Sequence, residues 1–178
     1  MTANADSIVS AALQDTFREV MATVCTPVSV VTAMSGERPH GTTVSAFASL
    51  SIGPPMMLVS LDTTSELLSI IRETQTFGLN VLSRAQAGLA TLFARKGRDK
   101  FSGVSWHFDN GVPRIADASG FLACRVARLV PGGDHIVVLG DVLRADALGA
   151  DPLTYRGRAF GTHVALEETA AWLGRRPP

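Results

Sequence analysis

Apolar positions first recur at helical spacing. Ile8, Leu13, Phe17 and Val20 fall roughly on one face, which predicts a helix over Asp6 to Met21. Pro27 ends it, and Val28-Ser-Val-Val-Thr-Ala33 reads as a strand. The turn residues between Ser35 and Gly41 predict a hairpin into a second strand, Gly41-Thr-Thr-Val-Ser-Ala-Phe-Ala-Ser-Leu-Ser51. Pro54-Pro55 begins a further strand through Leu61, since proline is tolerated at a strand's first residues. Thr63 and Glu66 have capping-box spacing ahead of the stripe Leu67, Leu68 and Ile71, which predicts a helix. Thr76 to Leu82 is a strand. Ser83 and Gln86 form a second capping box, opening a helix through Leu89, Leu92 and Phe93. A basic loop, Arg95 to Phe101, follows. Phe121 to Val130 alternates as a strand, Pro131-Gly132-Gly133-Asp134-His135 is a tight turn, and Ile136 to Leu143 returns as the antiparallel partner.

Most strands are thus joined by turns rather than by crossover helices. The expected architecture is mainly β with peripheral helices, as an antiparallel barrel or strongly curved sheet with the helices packed outside. With 178 residues and no internal repeat, one domain spanning 1–178 is the simplest organisation. The chain is 46% apolar and 18% charged, a globular composition. Zero formal net charge argues against nucleic acid as a partner. Low charge with positive mean hydropathy leaves apolar surface for a second copy. The N-terminus has neither a basic nor an apolar signal-peptide region, and no apolar run is long enough for a membrane span, so cytoplasm is the expected location. Cys25 and Cys124 form no metal-binding pattern and read as unpaired thiols of a reducing compartment.

Nucleotide-fold, P-loop, zincin and nucleophile-elbow motifs are absent, and the four histidines have no metal-ligand spacing. Four features carry chemistry. The strand from Gly41 to Ser51 concentrates small hydroxyls at Thr42, Thr43, Ser45, Ser49 and Ser51, which donate hydrogen bonds to a polar anionic ligand without bulk. Ser60 to Ser65 ends at a helix N-terminus, which suits a phosphate or is simply an N-cap. The loop Arg95 to Phe101 combines cations with an aromatic; it either closes over an anion or is a solvated loop. Gly132-Gly133-Asp134-His135 places an imidazole at a turn that a ligand can approach closely, unless the histidine is surface decoration.

Taken in order, these pieces resemble the short-chain flavin reductases, the reductase partners of two-component flavin-dependent monooxygenases. The resemblance spans about residues 17–158. It rests on Pro27-Val-Ser-Val-Val-Thr-Ala33, Gly41 to Ser51 with Pro54-Pro55, Asn80-Val81-Leu82, Asp99-Lys-Phe-Ser-Gly103 with Trp106, Gly132-Gly-Asp-His135 with Gly140-Asp-Val142, and Pro152-Leu-Thr-Tyr-Arg-Gly-Arg158. It implies an antiparallel split β-barrel of the flavin reductase type, usually a homodimer, that binds FMN or FAD and takes NADH or NADPH. Flavin contacts are implied at Thr43, Val44, Ser45, Ala46, Ser49, Leu50, Ser51, Ser60, Leu61, Ser65, Lys100 and Phe101, with Lys100 offsetting phosphate charge. The nicotinamide nucleotide is implied at Gly133, Asp134 and His135, with Tyr155 and Arg156 at the C-terminal edge of its site. Ala159, with Phe160 after it, stands where the family commonly has an aromatic directly behind Tyr-Arg-Gly-Arg. A tail over 162–178 continues with Leu166, Ala170 and Leu173 in helical register.

Hydride transfer between two cofactors needs no protein nucleophile, strong base or metal, so a chain without a triad fits it. The expected function is an NAD(P)H-dependent flavin reductase supplying a separate monooxygenase, with no side chain acting chemically and His135 orienting the nicotinamide. The alternatives are a flavin-binding protein that stores or senses flavin, and an enzyme of the same fold with another electron acceptor.

Overall fold

A computed structural model describes residues 3–97 and 99–165. Helix α1 (Ala3–Thr23) leads into a short strand, β1 (Thr26–Pro27), and then the hairpin β2 (Ser29–Ser35) and β3 (Arg38–Val44). β4 (Phe47–Ile52) and β5 (Pro55–Asp62) form a second hairpin, followed by α2 (Glu66–Thr74) and β6 (Thr76–Val81). A 3-10 turn at Arg84–Gln86 opens α3 (Ala87–Ala94). β7 (Trp106–Asp109) and β8 (Val112–Ile115) make a small hairpin. The long pair β9 (Gly120–Gly132) and β10 (His135–Ala147) follows, then β11 (Leu153–Arg156) and β12 (Ala159–Thr162).

The main sheet has seven antiparallel strands in the order β3-β2-β6-β9-β10-β5-β4. Its edge strands, β3 and β4, are neighbours in sequence, separated only by Ser45 and Ala46. A flat sheet of this width would hold its edges about 29 Å apart. The three Cα steps from Val44 to Phe47 reach no more than about 11 Å. The sheet must therefore curl until its edges meet. They meet where the Ser60 N–H donates to the Ala46 carbonyl at 2.9 Å, but no ladder joins β3 to β4 or β5. The curl stays open as a split.

Burial of β2 on both faces explains why apolar side chains stand at Val30, Val31 and Ala33 without strict alternation. Val31 and Ala33 join α2 residues Leu67, Leu68, Ile70 and Ile71 in a cluster with Val59, Phe77, Leu79 and Val138 from three other strands. Val30, on the opposite face, packs with Ala90 and Phe93 of α3 and with Ile115. α2 thus lays its apolar stripe into the cluster that several strands share.

Two expectations change. The hydroxyl-rich segment is two strands, not one, because the chain crosses between sheet edges at Ser45-Ala46. The Thr63–Glu66 capping box does not form. Ser65 takes the N-cap position without a side-chain cap bond, and Asp62 instead accepts from both the N–H and the hydroxyl of Thr64, each at 2.7 Å. The Ser83–Gln86 pairing does form, with Gln86 Oε1 accepting the Ser83 N–H at 3.0 Å. The expected helical register at Leu166, Ala170 and Leu173 lies outside the described residues.

Cys25 is exposed, and Cys124 is buried in β9, where desolvation followed by the nearby Asp141 pushes its thiol up to about 12. A maleimide at neutral pH is expected to label one cysteine in the native protein and two after denaturation, read by mass spectrometry; two fast labels in native protein would contradict this burial. The unfolded thiol ionises near 8.5. Between that value and about 12 the unfolded chain binds fewer protons than the folded one, so this group makes stability fall with rising pH there.

Candidate functional site: a cleft at the split of the sheet

The split is a cleft of about 660 Å³, a size within the usual range for small-molecule sites. One wall is β3 and the crossing that follows it. The other wall is the end of β5 with the start of α2. The loop after α3 lies across it, and His135 stands at the rim.

β3 is an edge strand, so its outer backbone groups have no strand partner and are left to side chains or a ligand. It is fixed closely to α3. A Cβ on Gly41 would lie 2.9 Å from Phe93 Cε1, so only glycine permits this approach. The Thr43 hydroxyl donates to the Ala90 carbonyl at 2.7 Å. Thr43 therefore lines the cleft with its hydroxyl proton already committed, and the hydroxyls of Thr42, Ser45, Ser60 and Ser65 are the lining groups suited to a polyol or phosphate.

The loop carries Arg95, Lys96 and Lys100 to the cleft. Lys100 Nζ donates to the carbonyls of Phe93 (2.9 Å) and Gly41 (3.2 Å). Burial lowers the Lys100 pKa, and the Glu66 carboxylate opposes that shift. Phe101 packs edge-on against Phe93 at 4.9 Å and Trp106 at 5.6 Å, between ring centroids. The loop's C-terminal end is thereby tied both to α3 and to the β7–β8 hairpin.

At the rim, the β9–β10 turn is Gly133-Asp134, with Gly133 at φ 66°, the left-handed value a two-residue turn of this kind asks of its first residue. His135 Nδ1–H donates to Asp134 Oδ1 at 2.7 Å, since a carboxylate only accepts. That bond leaves Nε2 as the free ring nitrogen of neutral His135. Asp62 is the cross-strand partner of His135. The side-chain and backbone hydrogen bonds from Thr64, with His135 and Lys96 nearby, hold the Asp62 carboxyl below the usual carboxylate range.

Of the residues expected at the site, Thr43, Val44, Ser45, Ala46, Ser60, Leu61, Ser65, Lys100, Phe101 and His135 are brought together around this cleft. Gly133 and Asp134 lie in the adjoining turn. Ser49, Leu50 and Ser51 lie farther along β4, beyond the lining, because the chain has by then crossed to the other sheet edge. Tyr155 and Arg156 belong to a separate three-stranded sheet, β1-β11-β12, where Tyr155 packs on Phe160 and Arg156 Nε donates to the Thr23 carbonyl at 3.0 Å. Neither Tyr155 nor Arg156 lines the cleft of this chain. His40, Asp62 and Glu66 were missed. His40 directly precedes the Gly41 motif, and its Nδ1 lies 3.8 Å from Glu66 Oε1 at the start of α2. Among the described residues no cluster of histidine, cysteine and carboxylates could hold a metal ion.

Residues 21–163 match the family model for the flavin reductase like domain, so the chain belongs to that family. Among curated relatives, it is 38% identical over 156 residues to the reductase component of a 4-nitrophenol 4-monooxygenase/4-nitrocatechol 2-monooxygenase of Rhodococcus opacus, covering 88% of this chain and 84% of the relative. It is 40% identical over 146 residues to an Agrobacterium fabrum protein named FMN reductase (NADH) SmoA, covering 82% of this chain and 83% of that one. Among solved structures, the Streptomyces globisporus NADH:FAD oxidoreductase SgcE6, in complex with NAD and FAD fragments, matches with a TM-score of 0.80 at 31% identity, covering 86% of this chain and 94% of the other.

Proposed function

We infer that this chain is an NAD(P)H-dependent flavin reductase that supplies reduced flavin to a separate monooxygenase. The observation that carries this reading is the cleft itself. It combines an open strand edge, small hydroxyls, loop cations and a rim imidazole with no nucleophile or metal set among its described residues. When bound, the flavin (FMN or FAD) and the nicotinamide supply the hydride chemistry themselves. The chain's residues bind and orient. The backbone of Val44, Ser45 and Ala46 offers amide donors and acceptors to a ring edge. Ser60 and Ser65 offer hydroxyls to a ribityl chain, and Arg95 and Lys96 offset phosphate charge. His135, fixed in one tautomer by Asp134, presents Nε2 to the nicotinamide nucleotide.

The reading includes a homodimer. Its support is the exposed apolar run Leu13, Phe17, Val20 and Met21 on α1, which no described residue covers. In such a dimer Ser49, Leu50, Ser51, Tyr155 and Arg156 complete the nucleotide sites between subunits. The reaction is placed in the cytoplasm, with the NAD(P)H pool; the two unpaired cysteines suit a reducing compartment.

Replacing Ser45, at the crossing between the sheet edges, with leucine is expected to weaken FMN binding at least tenfold, about 1.4 kcal/mol. Flavin fluorescence titration of the folded variant measures it. Unchanged affinity would remove flavin from this wall of the cleft.

A further inference from the structure

We propose that Lys100 is a positioning residue, a clamp that holds the β3 wall of the flavin cleft against α3, and not a ligand of the flavin phosphate. The proposal rests on the flavin reductase reading of the cleft and assigns this lysine its part in it.

Three independent contacts converge on the same seam. Gly41 leaves no room for a Cβ beside the Phe93 ring. The Thr43 hydroxyl reaches the Ala90 carbonyl at 2.7 Å. The Lys100 ammonium then closes the seam from the cleft side, donating to Gly41 O at 3.2 Å and Phe93 O at 2.9 Å. Both acceptors need this donor. Gly41 belongs to an edge strand, whose outward groups have no neighbour in the sheet, and Phe93 lies in the last turn of α3, where carbonyls lack intrahelical partners. An ammonium has three N–H donors, and two are committed here. The Glu66 carboxylate also lines the cleft and favours the charged form of this ammonium through space.

The next residue reinforces the clamp. Phe101 stacks edge-on against Phe93 and Trp106, which fixes the backbone from which the lysine side chain reaches the two carbonyls. Lys100 therefore acts on the strand that meets the ring edge. Among the described residues, the exposed cations at the cleft are Arg95 and Lys96, and these are placed to meet a phosphate. A clamp acts on every flavin alike, whereas a phosphate ligand acts only on those that carry phosphate.

The experiment compares Kd for riboflavin and FMN, and KM for flavin and NADH, in the wild type, Lys100→Met and Lys100→Arg. Lys100→Met is expected to lose about tenfold in affinity for both flavins, their ratio holding within about twofold, and to raise the flavin KM with little change in the NADH KM. Lys100→Arg, which keeps a cation and several N–H donors, should recover most of the loss for both. A tenfold loss for FMN with riboflavin unchanged would overturn the clamp, as would unchanged affinity for both. If Lys100→Met does not fold, Lys100→Arg alone decides: an FMN-selective loss there contradicts the proposal, and two affinities near wild type support it. Failure of the wild type to bind either flavin would count against the reading of the cleft, not against the clamp.

Discussion

His135→Ala is expected to lower kcat/KM for NADH by about five- to 150-fold, the roughly 1–3 kcal/mol that one or two hydrogen bonds to a polar or charged ligand supply. FMN affinity should stay within about twofold of wild type. The alternative role for this histidine is to pin the β9–β10 turn. The contacts argue against that role. The turn is docked onto the β5–α2 connection through Thr63 N–H to Asp134 O at 3.0 Å, a backbone bond that survives loss of the imidazole. The ring itself is 42% exposed and bonds only to its neighbour Asp134 among the described contacts. A thermal melt run beside the kinetics separates the two roles. A lower Tm with normal NADH kinetics in the folded fraction would make His135 structural.

The largest expected loss of stability comes from Asn80→Leu. Asn80 is fully buried in β6. Its Oδ1 accepts the Ile115 N–H at 2.8 Å, and its Nδ2 reaches the carbonyls of Val30 (3.3 Å) and Pro113 (3.4 Å) and the Thr32 hydroxyl (3.2 Å). Thr32 still satisfies the Pro113 carbonyl at 2.7 Å without it. The Ile115 N–H would be left without its partner in the interior. An orphaned buried donor within a coupled network costs about 2–4 kcal/mol. For a chain of this size that lowers Tm by roughly 5–15 °C. The effect reaches the cleft, because Asn80 ties down the β7–β8 hairpin whose Trp106 supports Phe101. FMN affinity should fall along with Tm. A melt within about 2 °C of wild type would show that the network contributes little.

Much of the fold was legible because periodicity and turn chemistry agree along the chain. The β2 apolar run, the stripe on α2 and the Gly-rich β9–β10 turn each carry a direct physical signal. Other features were hidden for identifiable reasons. The break between β3 and β4 has no glycine or proline. It is imposed by the meeting of two sheet edges, which a local pattern does not show. The β7–β8 hairpin was overlooked despite its Asn110-Gly111 turn, where both residues take the positive φ (48° and 86°) of a type I′ connection. The β11–β12 hairpin has the same signature at Gly157 and Arg158 (58° and 64°). At α2, capping-box spacing was present but Asp62 captured Thr64 first, a competition that spacing alone does not rank.

For the cleft, the hydroxyl-rich segment, the basic loop and the His135 turn were legible as separate pieces, and the fold places parts of all three around one space. His40, Asp62 and Glu66 were not legible, since single charged residues in short elements carry no periodic signal. Sequence also gave no means of seeing that the Lys100 ammonium is occupied by two carbonyls.

The measurement that bears most directly on the central claim is anaerobic stopped-flow mixing of FMN-loaded protein with NADH, followed by visible flavin absorbance. A flavin reductase with its nicotinamide site at His135 predicts bleaching whose rate saturates with NADH and slows in His135→Ala. Flavin that binds but stays oxidised at every NADH and NADPH concentration would contradict the account and leave a protein that holds flavin without reducing it.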